Sequence, residues 1–341
     1  MNKETLTAIR KKLPKELFYA PLWKSLFYIS RDLLLFLIFS YLIYLTDKIY
    51  FCFPIWILQG LSILALFQLS HDLAHGALIK NKTFANFFAQ VCILPTLHPV
   101  NQWIYGHNGI HHGNTSKLKA DLAWHPRSIE RYKRMSFIDK FLHKIYWSWY
   151  GTGIYYLIKM WLQGLILFPA PNFKAKRDIV FVITFIVSSI SGIIFIGGYN
   201  GNEFILINGV ILFIKLQLIP FIIWNYTIGI IVYLHHINKD MQWKKEGEWT
   251  PFYGQLRATS NYKLPAIVNI FAHNIMVHSP HHIHTKIPFY NLSKALDIIR
   301  KDYKEYLFER ESFWKDYFES TKYCKLVDSN GKWVRIEEIQ N

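Results

Sequence analysis

Histidine is the residue type that draws attention in this chain, because 15 of its 341 residues are histidines and most of them stand in short clusters. Imidazole is the commonest metal ligand in proteins. His71 and His75 are four residues apart, as are His107 and His111, so each pair shares one face of a helix and can reach one metal ion. His112 points about a quarter turn away from His111, and we expect it to reach a second metal or to orient another ligand.

A third cluster is the segment His278-Ser-Pro-His281-His282. Any one histidine alone is more simply explained as a buried or interfacial side chain, but three clusters that each follow an apolar segment or its extension indicate a metal centre. Eight imidazoles exceed what one tetrahedral zinc ion uses, so two metal sites fit better, and iron, copper and zinc all suit such ligands. The candidate ligands are His71, His75, His107, His111, His112, His278, His281 and His282, with His235, His236 and His273 as secondary candidates.

Two acidic residues stand close to these clusters in the sequence. Asp72 follows His71 directly, and Asp121 comes shortly after the second cluster. A carboxylate that accepts a hydrogen bond from an imidazole orients the ring toward a metal, and we predict this role for both residues. A helix cap or a surface ion pair is the alternative explanation. Trp103, Trp124 and Trp147 are candidates for the wall of a substrate path, although most tryptophans here are expected to be interfacial anchors.

The composition favours a membrane protein over an ordinary soluble domain. Hydrophobic residues make up 52% of the chain and charged residues 18%, whereas soluble proteins carry about 25% charged residues. The formal net charge is +16, which favours an anionic membrane surface or an acidic protein partner over nucleic acid. The three cysteines are too scattered for a disulfide framework, and we expect them to be reduced.

Four apolar runs are long enough to cross a bilayer core of about 30 Å at 1.5 Å per residue. They pair into two helical hairpins, residues 33–70 and 179–234, and the first hairpin requires Arg31 and Asp32 to lie at the membrane interface. Lysine and arginine are scarce in the hairpin tips and abundant in the other connecting segments. By the positive-inside rule, both termini and every histidine cluster are therefore expected on the cytosolic side.

We thus expect an all-α membrane protein of one domain, residues 1–341, with four transmembrane helices in two hairpins and a cytosolic helical cap. Its first residues do not resemble a cleavable signal peptide. The expected parts are a cytosolic N-terminal segment (1–32), the first hairpin (33–70), a cytosolic region with the first two histidine clusters (71–178), the second hairpin (179–234) and a cytosolic region with the third cluster (235–341).

The three clusters, HDLAH, HNGIHH and HSPHH, resemble the three histidine boxes of the integral-membrane fatty acid desaturases and hydroxylases. The flanks HHGNTSKLKADLAWHP and HNIMVHSPHHIHTKIPFYNL resemble those of the acyl-lipid Δ12 and ω3 desaturases of cyanobacteria and plastids, as do LFYISRDL, YLFERESFW and YCKLVDSNGKW. The resemblance covers about residues 10 to 335. We call these clusters boxes one, two and three in chain order. Box two departs from the family pattern, because it reads HxxxHH whereas the commoner form is HxxHH, and this puts the role of His107 in question.

The resemblance implies a di-iron site in the cap, held by the eight candidate histidines, with O2 as co-substrate. It implies that the protein introduces a double bond into an acyl chain of a membrane lipid, which we predict at Δ12. The alternatives are an ω3 (Δ15) acyl-lipid desaturase, a fatty acyl hydroxylase or a carotenoid oxygenase on the same scaffold. In a cyanobacterium-like host the expected location is the plasma or thylakoid membrane.

No fused haem, flavin or iron–sulfur motif is found in the sequence, so a separate electron donor is expected. The basic cytosolic face suits an acidic ferredoxin. The positive-inside bias toward anionic lipid explains much of the same charge equally well.

Two other classes of protein share parts of this pattern. An intramembrane metalloprotease would need the glutamate of an HExxH motif, and no glutamate stands between His71 and His75. A metal transporter would place ionisable ligands within its spans. Here the histidines lie at or beyond the ends of the apolar runs, and Lys215 is the charge that interrupts them.

Overall fold

The computed structural model describes residues 5–339, which fold mainly into helices, with short strands in two small sheets. The outermost residues of the two expected terminal segments, 1–4 and 340–341, lie outside this range. Within it, four helical segments are long and apolar enough to cross a membrane, and they form two hairpins: Leu22–Leu45, Ile49–Ala74, Phe173–Gly198 and Leu206–His236. The predicted all-α membrane architecture is confirmed.

The helices are numbered in chain order; π-helical turns continue three of them, and a fourth π-helix stands alone before α13. They are α1 (Leu6–Lys12), α2 (Leu22–Leu45), α3 (Ile49–Ala74), α4 (Lys82–Ile93), α5 (Val100–Ile104, continued by the π-helix Tyr105–His111), α6 (His112–Asn114), α7 (Ile129–Lys133), α8 (Phe137–Tyr146), α9 (Thr152–Tyr155, continued by the π-helix Tyr156–Ile166), α10 (Phe173–Gly198), α11 (Leu206–Phe213, continued by the π-helix Ile214–Leu218), α12 (Ile219–His236), α13 (Ala266–Ala272, preceded by the π-helix Tyr253–Arg257), α14 (His278–Ile283), α15 (Leu292–Tyr303) and α16 (Phe313–Tyr323).

The first hairpin begins well before residue 33, where the apolar run begins, because α2 starts at Leu22. Asp32, expected at the membrane interface, lies inside this helix and is fully buried. Its carboxylate pairs with Arg31 at 2.6 Å and with His273 at 2.7 Å. A buried charge needs such partners, and protein rather than lipid supplies them here.

The second hairpin is also longer than the expected 179–234. Helix α10 begins at Phe173, where the Asn172 side chain accepts a hydrogen bond from the backbone N–H of Ala175 and caps the helix. Helix α12 runs on through His235 and His236. These two histidines therefore belong to a membrane helix rather than to the following region.

Helix α3 is the central element of the membrane part. Half of its most apolar stretch is buried, against 17% for α2 and 6% for α10. It packs against α2, α4 and α12, and at Gly60 the backbone comes so close to α12 that a Cβ atom would lie 2.5 Å from a methyl carbon of Ile223. Because α3 and α12 are in contact along their length, their histidine-bearing ends lie side by side.

The cap is built from the segments outside the two hairpins, and a continuous apolar core joins it to the membrane helices. Its strands are short and tie distant segments together. They are β1 (Arg127–Ser128), β2 (Ser260–Tyr262), β3 (Phe308–Arg310), β4 (Leu326–Val327) and β5 (Trp333–Val334). In one sheet β4 lies between a parallel β1 and an antiparallel β5, and in the other β2 pairs with β3 in parallel.

The second hairpin depends on a close approach at Gly209 in α11. A Cβ atom there would lie 2.1 Å from the carbonyl oxygen of Ile194 in α10. Gly192, on the same hairpin, faces open space, with nothing within 4 Å of an added Cβ.

We predict that Gly209→Leu forces α10 and α11 apart and lowers the free energy of unfolding by about 1–3 kcal/mol. Gly192→Leu is the matched control, because it makes the same change in helix propensity without the clash. The measurement is the thermal unfolding midpoint in detergent. Equal midpoints for the two variants would contradict the close packing at Gly209.

Candidate metal centre

Four helical segments bring the histidines together at the membrane end of the cap. His71 and His75 lie at the C-terminal end of α3, and His236 ends α12. The π-helix after α5 carries box two, and the short helix α14 carries box three. The histidines of all three boxes meet because α3 and α12 end next to each other.

The imidazoles form two groups of four. Within each group, one nitrogen of every ring lies within 4.8 Å of the corresponding nitrogen of each other ring. The first group is His71, His75, His107 and His281, and the second group is His111, His236, His278 and His282.

His112 lies between the two groups. Its Nε2 is 3.2 Å from Nε2 of both His107 and His281 in the first group. Its ring stacks on that of His282 in the second group, with the ring centroids 4.3 Å apart. All eight candidate ligands are thus gathered in one place, and His236 joins them from the secondary candidates.

The prediction that His107 and His111 share a helical face is confirmed, because their rings stack with the centroids 5.4 Å apart, but the two rings fall into different groups. Residues Tyr105–His111 form a π-helix, in which the backbone repeats at i,i+5 rather than at i,i+4. His107 therefore faces His112, five residues on, with their Nε2 atoms 3.2 Å apart. His111 lies beside His107 but belongs to the second group.

The hydrogen bonds of the second group leave bare nitrogens that face one another. Nδ1 of His236 donates to the carbonyl oxygen of Ala258 at 3.0 Å, and Nδ1 of His282 donates to Oε1 of Gln255 at 2.7 Å. A neutral imidazole carries one hydrogen, so both Nε2 atoms are bare acceptors. They lie 3.2 and 2.9 Å from Nε2 of His278. Such convergence of lone pairs fits a cation held among them.

The first group also has nitrogens that meet no hydrogen-bond partner. Within the described residues, the buried Nε2 of His75 and Nδ1 of His281 have none. Buried polar atoms are nearly always bonded, and an absent metal ion is a recognised reason for exceptions. The donor set of both groups therefore fits two metal ions.

Burial keeps these rings in the form that binds metal. Desolvation lowers the pKa of His75, His107, His112, His278, His281 and His282 well below the usual value for histidine. The charges that neighbouring imidazoles would carry lower each pKa further. The rings are therefore neutral at pH 7, as metal ligation requires.

Both predicted acids lie against an imidazole. Asp121 Oδ1 is 2.8 Å from Nδ1 of His111, and the carboxylate also accepts from the backbone N–H groups of Ser116 and Ala123. Burial raises the pKa of Asp121, but the charge of His111 and these hydrogen bonds outweigh it, so the pKa stays below its usual value. Asp72 lies 2.9 Å from Nδ1 of His71 in the same manner.

Two of the secondary candidates lie outside both groups. His273 bonds to the buried Asp32 at 2.7 Å, from a left-handed backbone conformation with φ of 48°. The ring of His235 stacks on His278 with the centroids 3.6 Å apart. Its Nε2 has no hydrogen-bond partner in the part of the chain that the structure describes.

Sequence reasoning missed the contacts that hold the rings of box three and α12. Gln255, in the π-helix Tyr253–Arg257, accepts from His282 and donates to the backbone carbonyl of His112. The Ala258 carbonyl holds His236. A glutamine and a backbone carbonyl in a polar region carry no sequence signal for such a role.

A partly open apolar cavity of about 120 Å³ ends at the metal groups. Phe67, Tyr156 and Ile228 line it, together with Trp103, whose ring stacks on that of His107 at 4.4 Å. Trp124 and Trp147 are buried elsewhere in the core. Six imidazoles border the cavity: His71, His107, His111, His235, His236 and His278. This arrangement can bring an apolar chain up to two metal ions.

Comparisons with known proteins agree with this geometry. The family model described as fatty acid desaturase matches residues 49–314. The chain is 27% identical to a Synechocystis sn-1 acyl-lipid omega-3 desaturase (ferredoxin), over 99% of this chain and 92% of the relative. It is 26% identical to a Synechocystis sn-1 oleoyl-lipid 12-desaturase, over 82% and 77%, and 27% identical to a chloroplastic omega-6 fatty acid desaturase of Glycine max, over 95% and 74%.

The family match spans most of the chain and includes all three histidine boxes. The resemblance seen in the boxes and the enzyme class it implied, an oxidoreductase that desaturates fatty acyl chains, are confirmed. The chain therefore belongs to the fatty acid desaturase family.

Proposed function

We propose that this protein is an O2-dependent desaturase of acyl chains in membrane lipids and that its two histidine groups hold two iron ions. The observation that carries the proposal is the meeting of two four-imidazole groups with the end of an apolar cavity. When bound, iron would supply the oxidant for a C–H bond that has no acidic proton, which side-chain acids and bases cannot break.

The reaction balances as follows. Two C–H bonds of adjacent methylenes break and one C=C π bond forms. O2 takes up four electrons and leaves as two water molecules. Two of the electrons leave the acyl chain with its two hydrogens, and two come from an external donor together with two protons from water.

The chain's own residues position the reactants. The eight imidazoles and His236 surround the two places for iron, and Asp72 and Asp121 fix the rings of His71 and His111. The apolar wall formed by Phe67, Trp103 and Ile228 suits methylenes and excludes water from them. The cavity lies where the membrane helices end, so an acyl chain can reach it from the bilayer.

We infer that the substrate is the acyl chain of a glycerolipid, desaturated at Δ12 or at the ω3 position. Relatives named as 12-desaturases and as omega-3 desaturases are similar to this chain to nearly the same extent. We propose that both termini and the cap face the cytosol, and the basic residues of the connecting segments support this orientation. The electron donor is proposed to be a ferredoxin, since relatives carry that donor in their names.

The iron centre is tested by histidine substitution. Purified protein is expected to contain two iron ions per chain, and His75→Ala, His111→Ala or His282→Ala should lose iron and activity while still inserting into the membrane. The matched control is His143→Gln, because His143 is buried but bonds to the Lys325 carbonyl away from both groups. Iron content by mass spectrometry is the measurement. A variant that keeps both iron ions and full activity would remove that residue from the ligand set.

The carboxylate behind His111 is tested separately. Asp121→Asn keeps the size of the side chain but removes the charge that orients the ring, so iron affinity or activity should fall by roughly 10–100-fold. Asp139→Asn, at the exposed start of α8, is the control. Iron retention during dialysis against a chelator measures the effect. If the two variants hold iron equally well, Asp121 has only a structural role.

Product analysis tests the reaction and its position. A host rich in monounsaturated acyl lipid should express this chain together with a ferredoxin, and double bonds should be located by mass spectrometry. New dienes with a Δ12 bond are expected, and a new ω3 bond would reassign the position alone. Hydroxylated products would show that the same metal site catalyses hydroxylation instead of desaturation. An unchanged lipid profile from inserted, iron-loaded protein would refute the proposal.

A further inference from the structure

The imidazoles around the metal groups are divided among separate openings. None of the six that border the apolar cavity lines either of two further clefts. His75 lines one of these clefts, which we call the His75 cleft. His112 and His282 line the other, which we call the His112 cleft. Both clefts therefore lead from solvent to the metal groups without passing through the cavity.

The two clefts meet at a shared rim. His284 and Lys286 line both of them, and the ring of His284 packs on Phe18 at a centroid distance of 4.5 Å. The two openings thus form one continuous surface on which a single partner can lie over both routes to the centre.

Within the described part of the chain, this surface is basic and its lining includes no acidic residue. Lys15, Lys80, Lys82 and Lys286 line the His75 cleft, and Arg10 lines the His112 cleft. Among residues 5–339, no aspartate or glutamate lines either cleft. The four lysines are exposed, and none of them pairs with a carboxylate within residues 5–339. Their charges are therefore available to an acidic partner.

The centre needs two electrons from outside for each double bond, and they must arrive close to the imidazoles. On the cavity side, the apolar chain occupies the approach. On the cleft side, the imidazoles of His75, His112 and His282 line the openings. Uncompensated positive charge around them attracts and orients an acidic protein.

We propose that a small acidic one-electron carrier protein docks over the shared rim of the two clefts and delivers electrons past His75 and His112. This inference rests on the proposed function and names where its donor binds. Two reduced carriers dock in turn for each turnover, and each loses one electron. The positive charges affect binding of the carrier protein and do not affect binding of the acyl chain.

The test compares two reductants on the full-length, iron-loaded enzyme in nanodiscs of neutral phosphatidylcholine with oleoyl chains. One is a reduced [2Fe–2S] ferredoxin, and the other is dithionite with methyl viologen, which needs no docking site. The test variant combines Lys80→Glu, Lys82→Glu and Lys286→Glu. The matched control combines Lys301→Glu, Lys315→Glu and Lys332→Glu, three exposed lysines that line neither cleft.

In the test variant, the ferredoxin concentration that gives the half-maximal rate should rise roughly tenfold or more, whereas the rate with the chemical reductant should stay as in the wild type. The steep loss of the wild-type rate with added salt should also become shallower. The control variant should behave like the wild type. An unchanged ferredoxin dependence in the test variant, or the same loss with both reductants, would overturn the proposal.

An anionic lipid headgroup is the competing ligand for these lysines. If the test variant differs from the wild type only when phosphatidylglycerol is added to the nanodiscs, the surface binds lipid and the docking proposal is wrong.

A second readout does not depend on turnover. Carbodiimide coupling joins carboxylates of the bound ferredoxin directly to lysines, and mass spectrometry identifies the linked residues. Links to Lys80, Lys82 or Lys286 are expected, and links confined to other lysines would contradict the docking site. A wild-type enzyme that forms these links but makes no double bond with either reductant would refute the proposed function and leave the docking site standing.

Discussion

The close approach of bare imidazole nitrogens is the constraint on which the rest of this structure depends. Two lone pairs about 3 Å apart repel each other unless a cation lies among them, so each ring must be held from its other nitrogen. Asp72, Asp121, Gln255 and the Ala258 carbonyl do this from three different segments. The membrane helices serve the same end, because α3 and α12 must finish side by side to place their histidines.

The sequence predicted those features that depend on local spacing. His71 and His75 lie on one α-helix, so four-residue spacing was enough to join them, and the acids next to the boxes were found for the same reason. The long apolar runs predicted the hairpins, although not their ends. The pairing of Asp32 could not be predicted from local spacing, because its partner His273 is 241 residues away and only the folded structure brings the two together.

The same limit applies to the division of the rings between the two groups. His107 and His111 share a helical face, as predicted, but they belong to different groups, and the π-helix that carries them cannot be read from residue types. Gln255 had no distinguishing feature in a polar segment. What could be predicted was therefore the chemistry of the site, and what could not was its division into two groups. Each group has rings on the apolar cavity and a ring on one of the clefts that open to water.

The π-helix of box two also explains how its unusual spacing is tolerated. In the commoner HxxHH pattern the first and last histidines are four residues apart, which is about one α-helical turn. In this chain they are five residues apart, which is one turn of a π-helix, and their Nε2 atoms still meet. One inserted residue is absorbed by a local widening of the helix. Evolution can therefore change the length of this motif by one residue while the first and last rings keep their alignment.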